Sequence, residues 1–356
     1  MWPTNFALDL KLMILNHPDR LLPSDTFTRG LARELFENIE GLPIISPHGH
    51  CDPSWFSENK RFPDPAQLFV IPDHYVFRML LGQGLTLNEL GVQTLDGSVF
   101  ESDPQKIWKK FSKNYYLFRG TPTAMWLDYS FEKVFGITEP LTPTNSDFYY
   151  NEIEEKLSQP EYLPQALFDK FNIEVLSTTD SAISDLSQHI NMKSSNWGGR
   201  IIPTYRPDNI IDPESSEFKN NLAKLGELTN EDTSSWDGYL KAHRSRRLFF
   251  KELGATASDH GHPSARTENL LHTDAEQLFK CILAEDFNSE DADKFRGQML
   301  TEMAKMSCED GLVMQIHPGS CRNHSNKIFN QFGLDKGFDI PRSTDYVSAL
   351  KPLLAE

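Results

Sequence analysis

Pro43-Ile44-Ile45-Ser46-Pro47-His48-Gly49-His50-Cys51-Asp52 is the stretch on which the reading of this chain turns. The apolar run Pro43-Ile44-Ile45 reads as a short buried strand, and it ends on two histidines one residue apart. In extended backbone, residues i and i+2 point to the same side. His48 and His50 therefore aim two imidazoles at one point beyond the strand's C-terminal end, and Gly49 lets the backbone bend between them. Two converging imidazoles are half of what a divalent transition metal needs.

Working outward, the region from 53 to 164 is rich in aromatics and prolines and lacks an alternating strand pattern. It reads as a helical insertion after the first strand, with helices over Asp103 to Tyr116 and Asn145 to Leu157 broken by Pro and Gly. Upstream, Thr28, Leu31, Leu35 and Ile39 fall on a helical spacing over Asp25 to Ile39. After Pro164 a regular rhythm sets in. Apolar runs at Ile173–Asp180, Arg200–Asp208, Gly254–His260 and Gly311–His317 alternate with helical stretches such as Ser235 to Leu253. A further helix starts at Thr273, where Thr273 and Glu276 have the spacing of a capping box. Strand, helix, strand, helix implies parallel strands with crossover helices. The runs end in His48/His50, Asp180, Arg206/Asp208, Asp259/His260 and His317. Active sites of (β/α) barrels lie at the C-terminal strand ends, and no Gly-rich phosphate loop of the doubly wound kind is present. The expectation is a single (β/α)8-type (TIM) barrel over 1–356, with about five of its eight strands in this sequence.

Composition narrows the function classes. The chain has 356 residues, 38% hydrophobic and 24% charged, with a net charge of −16. That charge repels nucleic acid, and an acidic substrate would have to meet locally concentrated arginine. No apolar run reaches the roughly 20 residues of a membrane span, and Met1 to Gly30 show no secretory pattern. Cys51, Cys281, Cys308 and Cys321 form no C-x-x-C pair, as expected of reduced thiols in a cytoplasmic protein. Homo-oligomerisation is left open.

With these residues in place, the chain resembles the uronate (glucuronate) isomerases of the amidohydrolase superfamily. The resemblance rests on P-I-I-S-P-H-G-H at Pro43 to His50, Asp73-His74-Tyr75, Ser177-Thr178-Thr179-Asp180 and Pro203-Thr204-Tyr205-Arg206-Pro207-Asp208. Ser258-Asp259-His260, Gln315-Ile316-His317-Pro318-Gly319 and Arg322-Asn323 continue it in the family's order. It implies a distorted, metal-dependent-hydrolase-like (β/α)8 barrel with a helical insertion after the first strand. The implied reaction interconverts glucuronate and fructuronate, and galacturonate and tagaturonate, through an enediol. His48 and His50 would hold a divalent ion, zinc or else manganese or cobalt. The family's third protein ligand, an aspartate in a D-S-R-S phrase after the last strand, has no counterpart here. The resemblance therefore implies a chain lacking roughly the last three strands.

Isomerisation needs an electrophile near the carbonyl oxygen and a base near the C–H. The substrate carboxylate calls for arginine, whose planar fork binds it bidentately. Arg206 is the expected partner, against a plain salt bridge to Asp208. Tyr75, with His74 beside it, would exchange hydrogen bonds with the enediol oxygens, and Arg322 and Asn323 would close over the sugar. His317 would bind hydroxyls or orient a neighbour, completing a catalytic set of Tyr75, Arg206 and His317. Asp259-His260 reads as a structural pair, with support of a catalytic group as the alternative. His243, His262, His272 and His324 read as surface histidines. The competing reading is a metal-dependent hydrolase, which would need a lysine at a strand end where none is found; a second is an inactive piece of a barrel.

Overall fold

A computed structural model describes residues 16–355; Met1 to Leu15, part of the stretch scanned for a secretory pattern, and Glu356 lie outside the described residues. Five strands, β1 (Ile44–Ser46), β2 (Ile173–Ser181), β3 (Ile201–Arg206), β4 (Ala257–His260) and β5 (Val313–Ile316), form one parallel sheet. Their order in space is their order in sequence, β1-β2-β3-β4-β5. A doubly wound sheet reverses its strand order at a switch point. This sheet has no reversal, so each crossover adds a strand on the same side, as in a barrel.

The sheet is also curled. If it were flat, four inter-strand gaps of about 4.8 Å would hold β1 and β5 roughly 19 Å apart. Yet His48, just past β1, reaches Gln315 on β5 with a hydrogen bond of 3.0 Å. Only a sheet bent round on itself brings its two edges to one place.

Contacts divide the chain into two units. The second comprises Pro43–Lys60, Phe168–Cys321 and the chain from Ile340 onward, and it contains the sheet. Its core gathers Tyr205, Trp236, Tyr239, Phe250, Phe279, Phe295, Met299 and Met303. Helix Trp236–Glu252 begins where Ser235 accepts the amide of Gly238, the usual N-cap arrangement. It buries Trp236, Tyr239, Leu240, His243, Arg247 and Phe250, a stripe at helical spacing. Arg247 on that stripe is fully buried and pairs with Asp310 through Nε at 2.5 Å and Nη2 at 2.9 Å.

The first unit comprises the described residues up to Leu42, with Arg61–Leu167 and Arg322–Asp339. Between β1 and β2 the described residues form helices and no strand. Prolines begin these helices rather than break them. Asp52-Pro53, Asp64-Pro65 and Asp103-Pro104 each place a capping carboxylate before a proline in the first turn, where its missing N–H costs nothing. Trp108, Phe111, Phe131, Tyr149 and Ile153 fill the core of this unit, joined by Phe332 from the late segment.

Two sequence expectations need correction, on the burial of β1 and on the cap at Thr273, while the first helix stands. β1 forms, but Ile44 and Ile45 are 49% and 62% exposed; the strand is short and is paired on one side only, at the sheet edge. Helix Thr26–Glu37 forms where the spacing predicts one, with Asp25 as its N-cap, and buries none of its residues. Thr273 caps nothing: helix His272–Leu283 starts one residue earlier after Leu271, without a side-chain cap. The capping box lies instead at Asn288 and Asp291, opening helix Ser289–Asp310.

Candidate active site at the strand ends

Four strand ends of the second unit supply one cluster. His48 and His50 follow β1, Arg206 ends β3, Asp259 lies on β4, and His317 follows β5. The loop carrying the histidines is tied down twice. Thr179 of β2 donates its hydroxyl to the Gly49 carbonyl at 2.9 Å, and Gln315 of β5 donates its side-chain amide to the Pro47 carbonyl at 3.0 Å. A Cβ on Gly49 would sit 2.8 Å from the Ser177 carbonyl oxygen, so only glycine lets the loop lie this close to β2.

Gln315 also fixes a tautomer. Its amide nitrogen is committed to Pro47, so its oxygen faces His48 Nδ1 and accepts that N–H at 3.0 Å. His48 Nε2 is then the bare, lone-pair nitrogen, and it lies 3.1 Å from His50 Nε2. Two ligand atoms on one ion at about 2.0–2.1 Å lie roughly 3.0–3.4 Å apart in open or tetrahedral geometry. The pair is spaced to share a divalent ion. Partial desolvation, then the facing His48 and Arg206, hold His50 below the ordinary histidine value, which keeps its nitrogen lone pair available.

Asp259 is the hub of the rest. It is fully buried, and its Oδ1 takes a hydrogen bond from His317 Nε2 at 2.5 Å and lies 3.6 Å from His48 Nδ1. Its Oδ2 is 3.3 Å from Arg206 Nη1. Burial pushes the Asp259 carboxyl up, but His317, Arg206 and His48 together outweigh it and hold it below the usual carboxylate range. The same hydrogen bond lifts His317 above the ordinary histidine value against its own desolvation. Arg206 is gripped on its other side by Asp208, Nε to Oδ2 at 2.8 Å. Two carboxylates thus hold one guanidinium in a fixed plane, with most of its five N–H donors uncommitted. The salt bridge to Asp208 and a ligand-binding role are compatible.

The structure brings together His48, His50, Arg206 and His317. The other expected residues belong to the first unit. His74 opens helix His74–Leu81 with its ring 4.5 Å from that of Tyr75, which is 56% exposed. The amide of Asn323 donates to Asp339 at 2.8 Å, its side chain accepts from the Asp335 amide at 3.2 Å, and Arg322 pairs with Asp335 at 4.0 Å. In the same loop, a Cβ on Gly337 would come 2.9 Å from the His74 carbonyl oxygen. His74, Tyr75, Arg322 and Asn323 therefore form one neighbourhood within that unit.

Sequence reasoning missed Gln315 and underrated Asp259. The residues Asp259 and His260 are not a pair at all: successive strand residues face opposite sides, and His260 turns away to Ser258 Oγ at 3.1 Å. His243 and His262, expected at the surface, are buried. His243 lies on the sheet-facing stripe of its helix and pairs with the Tyr205 hydroxyl at 2.7 Å. His272 and His324 are exposed as expected.

The model of the glucuronate isomerase family matches residues 22–356. The chain belongs to the glucuronate isomerase family. It is 55% identical over 337 residues to a uronate isomerase of Rhizobium meliloti (strain 1021), covering 95% of this chain and 72% of that protein. The uronate isomerase of Phenylobacterium zucineum (strain HLK1) is 53% identical, with 95% and 70% covered. Among solved structures, the glucuronate isomerase of Caulobacter crescentus superposes with a TM-score of 0.93 at 50% identity, covering 96% of this chain and 72% of the other. The uronate isomerase of Thermotoga maritima gives a TM-score of 0.84 at 28% identity, with 91% and 70% covered.

Proposed function

We propose that this chain interconverts D-glucuronate and D-fructuronate, and D-galacturonate and D-tagaturonate, by moving a proton between C1 and C2 through an enediol. The observation that carries the reading is the convergence of His48 and His50 Nε2 at 3.1 Å in the same cluster as Arg206. His48 and His50 would hold a divalent ion, zinc or else manganese or cobalt, which would supply Lewis-acid polarisation of the substrate oxygens.

Arg206 binds the sugar carboxylate. A free guanidinium would swing toward any anion; this one is already oriented, so less entropy is lost on binding. His317, with its proton held by Asp259, offers its other ring nitrogen to a sugar hydroxyl and stays protonated to higher pH than an isolated histidine. Asp259 keeps that proton in place and balances Arg206. For the neighbourhood of His74, Tyr75, Arg322 and Asn323 we propose contacts to sugar hydroxyls, with Tyr75 serving the enediol oxygens. The five strands read as an arc of a (β/α)8-type barrel. None of the described helices is long and apolar enough to cross a membrane, and all four cysteines are free, which supports a cytoplasmic setting.

The test is direct. Purified protein is incubated with glucuronate and Zn²⁺ or Mn²⁺, and fructuronate is followed by its keto absorbance or by NMR. Isomerisation is expected, lost in His48→Ala and weakened mainly in KM in Arg206→Met. Hydrolysis of amide or ester substrates with no isomerisation overturns the reading.

A further inference from the structure

The tripeptide His-Gly-His occurs twice, at His48-Gly49-His50 after β1 and at His260-Gly261-His262 at the end of β4. The second copy takes no part in the chemistry above. We propose that it forms, with Asp208, a second divalent-cation site of two imidazoles and a carboxylate.

Three observations carry this. One donor atom each from Asp208, His260 and His262 lies within 4.8 Å of the others. Both histidines are buried, and three of their four ring nitrogens have no hydrogen-bond partner among the described residues: His260 Nδ1, His262 Nδ1 and His262 Nε2. An unmade hydrogen bond on a buried polar atom is costly, so a cluster of three calls for an occupant. Finally, Asp208 is held in place beside the histidines. Oδ2 takes Arg206 Nε at 2.8 Å, the Gly261 amide donates to Oδ1 at 3.2 Å and to Oδ2 at 3.1 Å, and Oδ1, with a further lone pair to offer, lies 3.9 Å from His262 Nε2.

The chemistry suits a borderline ion such as Zn²⁺, which accepts imidazole nitrogen and carboxylate oxygen. His260 Nε2 is already bonded to Ser258 Oγ, which leaves Nδ1 as the ligand nitrogen. That bond orients the ring, as hydrogen bonds behind ligating histidines do. The 3.9 Å gap exceeds the roughly 3.0–3.4 Å of bound donors, and a small swing of the His262 ring closes it. Arg206 is the one competing cation on Asp208, and it also leans on Asp259.

The experiment counts ions. Wild type, His48→Ala/His50→Ala, and that double variant with His262→Gln are stripped with a chelator, dialysed against micromolar Zn²⁺ and measured by elemental analysis. The proposal expects two, one and zero tightly held ions per chain. Co²⁺ in the double variant should give visible ligand-field bands that vanish in Asp208→Asn, a readout that stands if His262→Gln misfolds. No tight ion in the double variant, meaning buried water only, overturns the proposal. So does an ion whose retention is indifferent to both His262→Gln and Asp208→Asn.

Discussion

Gly261→Ala tests whether Arg206 holds the substrate carboxylate. The backbone at Gly261 takes no left-handed angle, so alanine fits it without torsional strain. The added methyl has no room. It would fall against Arg206 Nη2, 3.3 Å from Arg206 Cζ and 2.8 Å from Asp208 Oδ2. Carbon contacts relax at about 3.5 Å or beyond, so the guanidinium, whose Nη2 is the atom most closely met, must withdraw by rather more than about 1 Å. The far end of an arginine can do so without unfolding its surroundings, and the perturbation stays local. What is lost is the fixed plane, and with it one charge-assisted hydrogen bond to the substrate, about 1.5–3 kcal/mol. At 1.36 kcal/mol per tenfold that is a rise in KM of roughly 10- to 150-fold, with kcat changed little because the reacting carbons are elsewhere on the sugar. The assay is initial-rate kinetics on glucuronate, with circular dichroism and thermal unfolding as controls. A folded variant with unchanged KM refutes the assignment of Arg206; a fall in kcat alone places the arginine at the reaction centre instead of at the carboxylate.

Other outcomes follow from the same geometry. Gln315→Leu removes the acceptor that fixes the His48 tautomer, and outer partners of this kind are worth about 10- to 100-fold in metal affinity; competition with a fluorescent zinc chelator reads it. His243 is fully buried, and burial followed by the charges of Arg247 and Arg244 holds it down to about 3. The unfolded chain takes up this proton near pH 6.5 while the native chain does not, so stability falls as pH drops below 6.5. Between pH 7 and 5 the loss through this residue is about 2 kcal/mol. His243→Gln should show a correspondingly smaller loss in urea titrations followed by tryptophan fluorescence at the two pH values, and an equal loss in both proteins would count against a neutral native imidazole. Asp310→Ala leaves the fully buried Arg247 unpaired and should cost about 3–5 kcal/mol of unfolding free energy, measured in urea.

The strands from β2 to β5 were legible because each is an apolar run between helical periods. β1 was legible in place but not in burial, since exposure depends on what pairs with its outer edge. His48, His50, Arg206 and His317 were visible as polar residues at run ends, where a parallel sheet collects them. Gln315 was invisible as a contributor: an amide in the middle of a strand carries no signal until the sheet curls and brings β5 to the loop after β1. His243 and His262 misled for a related reason. A histidine on a helix stripe or two residues past a strand looks like any polar surface residue, and only the packing of Tyr205 and Asp208 against them shows otherwise.

Neither unit is a continuous length of chain, and this has a consequence for how the protein is made. The first unit needs Phe332 from the segment Arg322–Asp339 to finish its core, and the second needs β1 to pair with β2 across more than a hundred intervening residues. On the ribosome, the helices from Arg61 to Leu167 emerge long before their last core residue, and β1 waits for most of the insertion to be translated. Contacts so distant in sequence slow folding and leave apolar surface on the nascent chain meanwhile. The antiparallel clasp of Ser320–Cys321 with Ile340–Pro341 joins the two ends of that late segment. Until that segment is in place, neither unit has all the chain its core draws on.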